Sequence, residues 1–354
     1  MAILITGGAG YIGSHMAWAC ADRGDDVVVI DNLATGFRWA VPPQARFVEG
    51  DIGDIDLVMR TIAENDIDTV VHFAGSVVVP ESLREPLKYY DNNTGRTRAL
   101  LEAVTKAGVE RFVFSSTAAV YAAPPTLEPV DELSPLAPAT PYGRSKLMSE
   151  EMVRDVALAT GLRYVMLRYF NVAGADPRGR TGLSTTGATH VMKLACEAAT
   201  GKREAFQVYG TDYDTPDGSA IRDFIHVSDL ADAHCVAVDF LRDGGRKFTG
   251  NAGYSRGASV FEVIDAVKRL SGTDFPVVEA DRRIGDIPAI VADAGRMRHR
   301  LSWKPKFNDL DAIIRHALAW EARLSTMGET SRHAVEAPML APALDTLTDR
   351  CTLV

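Results

Sequence analysis

The most chemically suggestive residues are Tyr142 and Lys146, four apart in Thr140-Pro141-Tyr142-Gly143-Arg144-Ser145-Lys146. Thr140 is a good helix N-cap and Pro141 suits the first helical position, so a helix should start here. At i and i+4 the phenol and the ammonium then share one face. A free phenol, with a pKa near 10, is a poor base at neutral pH. Holding it as phenolate means lowering that pKa by about 3, worth about 4 kcal/mol. An adjacent ammonium pushes that way, and so would a second cation beside it. Such a pair can take the proton of a hydroxyl, and Thr117 could share it. Taken alone, Tyr and Lys at this spacing also describe a solvated helix face. The rest of the chain must separate the two.

The chain opens with a short apolar run followed by Thr6-Gly7-Gly8-Ala9-Gly10-Tyr11-Ile12-Gly13. Strand, glycine turn and helix in that order form the context of a dinucleotide-binding fingerprint. Gly7 would allow the tight turn, Gly10 the approach of a pyrophosphate, and Gly13 close packing of helix on sheet. The helix N-terminus offers unpaired N–H groups to phosphate. A second apolar run, Val27-Val28-Val29-Ile30, ends in Asp31. An acid about 20 residues past the glycines can accept from both ribose hydroxyls and repels a 2′-phosphate, which favours NAD over NADP. Asp51 and Ile52 follow the third strand, where they could bond and back an adenine; a turn Asp is the equal alternative. Ala74 and Gly75 end the fourth strand, and their small size would let backbone lie against a ribose. His72, inside that apolar strand, reads as a core histidine. Asn92 and Asn93 sit in mid-helix, where amides are poor helix formers. They make sense if that face meets something polar. Ser115-Ser116-Thr117 put three hydroxyls at the carboxyl edge of a strand, where doubly wound sheets bind ligands.

Strands expected at 2–6, 26–31, 46–49, 69–73, 111–115 and 163–168 alternate with helices near 11–23, 54–64, 85–107 and 142–160. That alternation argues a Rossmann-type doubly wound parallel sheet. Beyond it the pattern loosens. A helix at 187–199, a strand near 206–208, a helix at 228–242 capped by Ser228, a strand at 248–251 and helices at 259–270 and 309–324 suggest a smaller mixed α/β substrate domain. Residues 1–170, joined by about 225–250, form the expected cofactor domain; 171–224 and 251–327 form the other. Residues 328–354 show no periodicity and read as a loose tail. The chain has 354 residues, 46% of them hydrophobic, and a net charge of −9. No basic stripe points to nucleic acid. No apolar run is long enough to span a membrane. The first strand starts at once, so no signal peptide is expected. Cys20, Cys196, Cys235 and Cys351 have no metal-type spacing. Reduced thiols, a cytoplasmic location and no metal are the expectation.

With Asp31-Asn32-Leu33, Gly50-Asp51-Ile52, His72-Phe73-Ala74-Gly75, Tyr89-Tyr90-Asp91-Asn92-Asn93, Arg168-Tyr169-Phe170-Asn171 and Arg222-Asp223-Phe224-Ile225-His226-Val227, these motifs resemble the extended short-chain dehydrogenase/reductase family. Within it they are similar to the UDP-hexose 4-epimerases, from residue 1 to about 325. The resemblance implies a tightly held NAD that takes hydride from C4 of a UDP-sugar and returns it to the opposite face of a 4-keto intermediate. Tyr142, Lys146 and Thr117 match the catalytic positions. Gly7, Gly10, Tyr11, Ile12, Gly13, Asp31, Asn32, Asp51, Ile52, Phe73, Ala74, Gly75, Asn92, Ser115 and Phe170 match the cofactor contacts, as do Tyr142 and Lys146. Asn171, His190, Arg222, Arg283 and Asp286 match contacts to the UDP-sugar, with Thr117 and Tyr142. A homodimer through helices 85–107 and 142–160 is implied as well. Two arginines suit a pyrophosphate, which favours bidentate guanidinium donors. The chain departs from the family at Val77, where a lysine often touches the cofactor. At Ile290 the residue that limits the C2 substituent has intermediate bulk, which leaves UDP-N-acetylhexosamines open. UDP-xylose, UDP-arabinose or UDP-glucuronate are other expected substrates. A 4,6-dehydratase would need carboxylates where Ala118-Ala119 stand. A non-catalytic NAD sensor would not need an intact Tyr142 and Lys146.

Overall fold

The computed structural model describes residues 2–283 and 285–327. The expected tail at 328–354, with Cys351, lies outside the described residues. The chain begins with β1 (Ala2–Thr6), buried at all positions, and turns at the glycines into α1 (Tyr11–Asp22). Gly24 follows the end of α1 in the left-handed conformation, the usual glycine exit from a helix. Then come β2 (Asp26–Asp31), β3 (Arg46–Glu49), α2 (Ile55–Glu64) and β4 (Ile67–His72).

The helix expected over 85–107 is broken. A short α3 (Val79–Arg84), not foreseen from sequence, precedes α4 (Pro86–Tyr89). A π-helical turn, Tyr90–Gly95, then leads into α5 (Arg96–Lys106). The physical reason lies in Asn93. Its carboxamide accepts from Ser76 N–H at 2.7 Å and donates to Ser76 O and Ser145 Oγ, both at 3.0 Å. A π-turn offsets one side chain from the α ladder, and such turns recur at functional sites.

After β5 (Arg111–Ser115), α6 (Pro141–Thr160) starts as expected, with Thr140 Oγ1 accepting from Gly143 N–H and Pro141 in the first turn. β6 (Arg163–Tyr169), β7 (Asn171–Ala173), α7 (Val191–Ala199), β8 (Phe206–Tyr209) and β9 (Ile221–His226) follow. α8 (Val227–Arg242) is capped by His226, whose ring accepts from Ser228 N–H at 3.0 Å, and not by Ser228 as the sequence suggested. The chain closes with β10 (Lys247–Ala252), β11 (Gly257–Ser259), α9 (Val260–Ser271), β12 (Val277–Ala280), β13 (Ala289–Ile290), α10 (Gly295–Leu301) and α11 (Leu310–Thr326).

Seven parallel strands in the order β10-β6-β5-β4-β1-β2-β3 form the main sheet. This is the Rossmann-type doubly wound fold. The direction of winding reverses between β1 and β4, so the ligand crevice opens where the glycine turn meets Phe73-Ala74. One face of the sheet is packed by α1 and α8, through Met16, Leu230 and Val238. The other is packed by α2, α5 and α6, through Val58, Leu100 and Val153. A small sheet, β11-β9-β13 with β7 beside β9, sits over the carboxyl ends, next to the β12–β8 pair. Behind it α7, α9 and α11 share a core of Met192, Ile264 and Ile314.

Candidate active site

The glycine turn is built for close approach. Gly7 has φ of +69°, and a Cβ there would lie 2.6 Å from Ala74 N. A Cβ at Gly13 would lie 2.2 Å from Gly7 O. The first-turn N–H groups of α1, at Tyr11, Ile12 and Gly13, have no acceptor within the helix and no capping side chain at Gly10. Asp31 closes the turn from the other side. Its Oδ2 accepts from Ala9 N–H at 2.9 Å and its Oδ1 from Leu33 N–H at 2.8 Å. Each carboxylate oxygen keeps a further lone pair for a ribose hydroxyl. Asn32 donates to Asp51 Oδ2 at 3.3 Å, and Gly53 N–H donates to Asp51 Oδ1 at 2.8 Å. Arg96 also forms an ion pair with Asp51, a partner not foreseen from sequence. The Asp51 carboxylate is thus held in place at the edge of the crevice beside buried Ile52.

Phe73 packs against the ring of His234, centroids 4.6 Å apart. His72 is the core histidine expected, bonded to Thr6 Oγ1 at 2.7 Å and Thr97 Oγ1 at 2.9 Å. A Cβ at Gly75 would lie 2.8 Å from Asn93 Oδ1, so the loop lies close against the π-turn. Asn92, on that turn, donates to Ser76 Oγ at 2.8 Å.

Tyr142 and Lys146 lie in the first turns of α6 and are both buried. The Tyr142 phenol faces the hydroxyls of Thr117 and Tyr169. Its ring meets the Tyr89 ring edge-on, centroids 6.3 Å apart. Burial raises the phenol above its ordinary pKa, and the hydrogen bonds from Thr117 and Tyr169 pull back only part of that. The expectation that Lys146 would depress it is therefore not met by the protein's own groups. The cause is symmetrical. Burial also pulls the Lys146 ammonium down to about 7, against the attraction of Glu150. Lys146 Nζ lies 4.2 Å from the centre of the Phe114 ring. Among the described residues it has no hydrogen-bond or ion-pair partner. Its donors are therefore left for a polar ligand in the crevice. Ser115 is buried at the end of β5, and its hydroxyl lies toward Tyr169 without a well-formed hydrogen bond. Tyr169 itself was missed as a site residue. Its signal was position, at the carboxyl end of the strand next to β5.

A second cluster forms at β9. Arg222 lies within β9, largely buried. Its Nη1 donates to Ile221 O at 2.8 Å and its Nη2 lies 3.9 Å from Asp286. Arg283 Nε donates to Asp286 Oδ2 at 2.9 Å, and its guanidinium sits 4.7 Å from the centre of the Tyr209 ring. Tyr213, also missed, has a buried hydroxyl with no partner and shares the field of Asp286, Arg222 and Arg283. Asn171 pairs with Phe224 on the same small sheet. Phe170 and Ile290 are buried together with Tyr121 and Ala292. His190 precedes α7, lines a small cavity with Tyr11, Lys193 and Trp320, and leaves a buried Nδ1 without a partner. The exposed Val77 adds no charge at the crevice.

The structure thus has a glycine-lined turn beside Asp31, a buried tyrosine and lysine at the head of α6, and two arginines gathered on Asp286. Residues 3–253 match the model of the NAD dependent epimerase/dehydratase family. The chain belongs to that family. The UDP-glucose 4-epimerase of Azospirillum brasilense is 54% identical over 312 residues, 88% of this chain and 89% of its own. The crystal structure of UDP-glucose 4-epimerase from Brucella ovis in complex with NAD superposes with a TM-score of 0.87 at 44% identity, covering 90% of this chain and 97% of that one. The UDP-glucose-4-epimerase from Stenotrophomonas maltophila, with bound NAD and formylated UDP-arabinopyranose, gives 0.89 at 38% identity, covering 93% and 100%. An NAD-dependent epimerase needs a cradle for a pyrophosphate, an acid for a ribose and a cation near the reacting carbon, and this crevice has all three kinds of group. Thr140→Ala should cost about 1 kcal/mol of stability by uncapping α6. A thermal melt checks this, with a fall of a few degrees expected.

Proposed function

We infer that this protein is a UDP-glucose 4-epimerase that interconverts UDP-glucose and UDP-galactose on a retained NAD. The observation that carries the reading is the buried Tyr142 phenol facing Thr117, with the partnerless Lys146 ammonium one helical turn away. The family membership and the extended similarity to UDP-glucose 4-epimerases support it. When bound, NAD supplies a hydride acceptor and, after C4 is oxidised, the hydride that reduces it again. The protein's task is to move a proton. Tyr142 removes the C4 hydroxyl proton, and Thr117 holds that hydroxyl. The phenol is raised by its own burial. It becomes a base only when cationic charge is gathered beside it, which is the role of Lys146 and of the oxidised cofactor. Gly7, Gly10, Tyr11, Ile12, Gly13, Asp31, Asn32, Asp51, Ile52, Phe73, Ala74, Gly75, Asn92, Ser115 and Phe170 are the cofactor contacts.

The same carbon must offer both faces, so the keto sugar has to turn while the nucleotide stays anchored. Arg222, Arg283 and Asp286, with Asn171 and His190, are the anchor, and the arginines meet the pyrophosphate. We assign residues 1–170 and about 225–250 to the cofactor and 171–224 with 251–327 to the UDP-sugar. A homodimer through 85–107 and 142–160 is supported by the exposed Leu87 and Met148 on those segments. The three described cysteines are buried and free, which suits the cytoplasm.

Turnover of UDP-galactose, UDP-N-acetylgalactosamine and UDP-arabinose, followed side by side by NMR, tests the reading. UDP-galactose should be converted fastest, and no turnover of any of them would contradict it. Arg222→Ala should raise KM for UDP-galactose by about 10- to 100-fold, because a charged contact to phosphate is worth about 1.5–3 kcal/mol. Steady-state kinetics check this.

A further inference from the structure

One buried ion pair is not absorbed by this account. Glu150 on α6 is fully buried one turn after Lys146, and Arg168 on β6 is only 2% exposed. Arg168 Nε donates to Glu150 Oε1 at 2.9 Å and its Nη2 to Oε2 at 2.7 Å, a bidentate pair. Ser116 Oγ donates to Oε1 at 2.6 Å, and Arg154 Nη2 donates to Oε2 at 2.7 Å. From Arg168 the chain continues to Tyr121 at 3.1 Å, and Tyr121 donates to Asn251 Oδ1 on β10 at 2.6 Å. The network thus fastens α6 to β5, β6 and β10. It does so one residue before Thr117 and one turn after Lys146.

We propose that Glu150 is a positioning residue that places a held carboxylate one helical turn from Lys146 and seats Thr117 opposite Tyr142 through Ser116. The inference rests on the reading of Tyr142 and Lys146 as the acid–base pair. A buried ion pair is weak evidence for stability, since apolar residues of similar volume often replace one without loss. Its placement argues for another use. Lys146 shares its field with Glu150 on α6 and His72 on β4; Tyr142 lies one turn back on α6, and Tyr169 on β6 bonds to Tyr142. Burial keeps His72 neutral and raises both phenols, so those three carry no charge near neutral pH. Burial pushes Glu150 up, yet the Arg168 guanidinium and the Ser116 hydroxyl more than reverse this and hold it ionised. Glu150 is therefore the negative charge that opposes loss of the Lys146 proton.

The sign follows. Removing that charge favours the neutral amine, so the cation is lost at lower pH and the alkaline limb of kcat moves down. Glu150→Gln removes only the carboxylate charge and leaves a carbonyl oxygen that can still accept from Arg168 or Ser116. It should move that limb down by about one pH unit, an approximately tenfold lower kcat on the alkaline side. KM should stay within about twofold of the parent, the anchor being untouched. Arg154→Gln, on a partly exposed side chain, removes a positive charge from Glu150 and should move the limb up by a few tenths of a unit. A folded Glu150→Gln variant with an unmoved limb would overturn the proposal. If that variant does not fold, Arg154→Gln decides, and an unmoved or lowered limb overturns it. Full activity of Tyr142→Phe would instead defeat the acid–base reading itself.

Discussion

Tyr142→Phe should lower kcat for epimerisation by about 10²- to 10⁴-fold, the usual worth of a placed general acid–base group. Bound NAD and thermal stability should stay close to the parent. The hydroxyl is the only atom lost, and the ring keeps its edge-on contact with Tyr89. Removing a desolvated phenol that burial already disfavours as an anion costs the fold little. Thr117 and Tyr169 each lose one hydrogen-bond partner at that point. The measurement is kcat by coupled assay, alongside nucleotide released on acid precipitation. Activity within tenfold of the parent would mean that another group takes the proton.

Gly13→Ala should abolish NAD retention. The added methyl would stand 2.2 Å from Gly7 O and 2.9 Å from Gly8 Cα, and all of these are backbone atoms. Neither can swing away as a side-chain tip would, so α1 must shift off the turn. Overpacking of this kind costs about 1–3 kcal/mol. The larger effect is on the ligand, because the shift misaims the N–H groups of Tyr11, Ile12 and Gly13. Nucleotide content of the purified variant and its thermal midpoint check this. Near-stoichiometric NAD at the parent's melting temperature would remove the glycine turn from the cofactor site.

Much of the frame was legible because it is local. Alternating apolar runs, Thr140-Pro141 at the head of α6 and Gly24 at the tail of α1 each follow from neighbouring residues. What escaped depends on distant partners. The π-turn exists because Asn93 reaches Ser76 and Ser145, which lie far away in sequence. His226 caps α8 with its ring, a role that Ser228 looked better suited to fill. Arg96 and Tyr213 enter the site through tertiary contact and have no motif to announce them, while Tyr169 stands in the Arg168-Tyr169-Phe170-Asn171 run with nothing local to give it a role. The charge logic of Tyr142 and Lys146 was also incomplete. The spacing showed a cation beside a phenol, but not that burial would weaken the cation as well.

In the proposed reaction the hydride leaves and returns to one carbon of one sugar. UDP-galactose carrying deuterium at C4, incubated with the purified protein and no added NAD, measures this directly. The predicted result is UDP-glucose that keeps the deuterium at C4, read by NMR and mass spectrometry. Loss of the label to solvent, or a requirement for added NAD at every turnover, would contradict it.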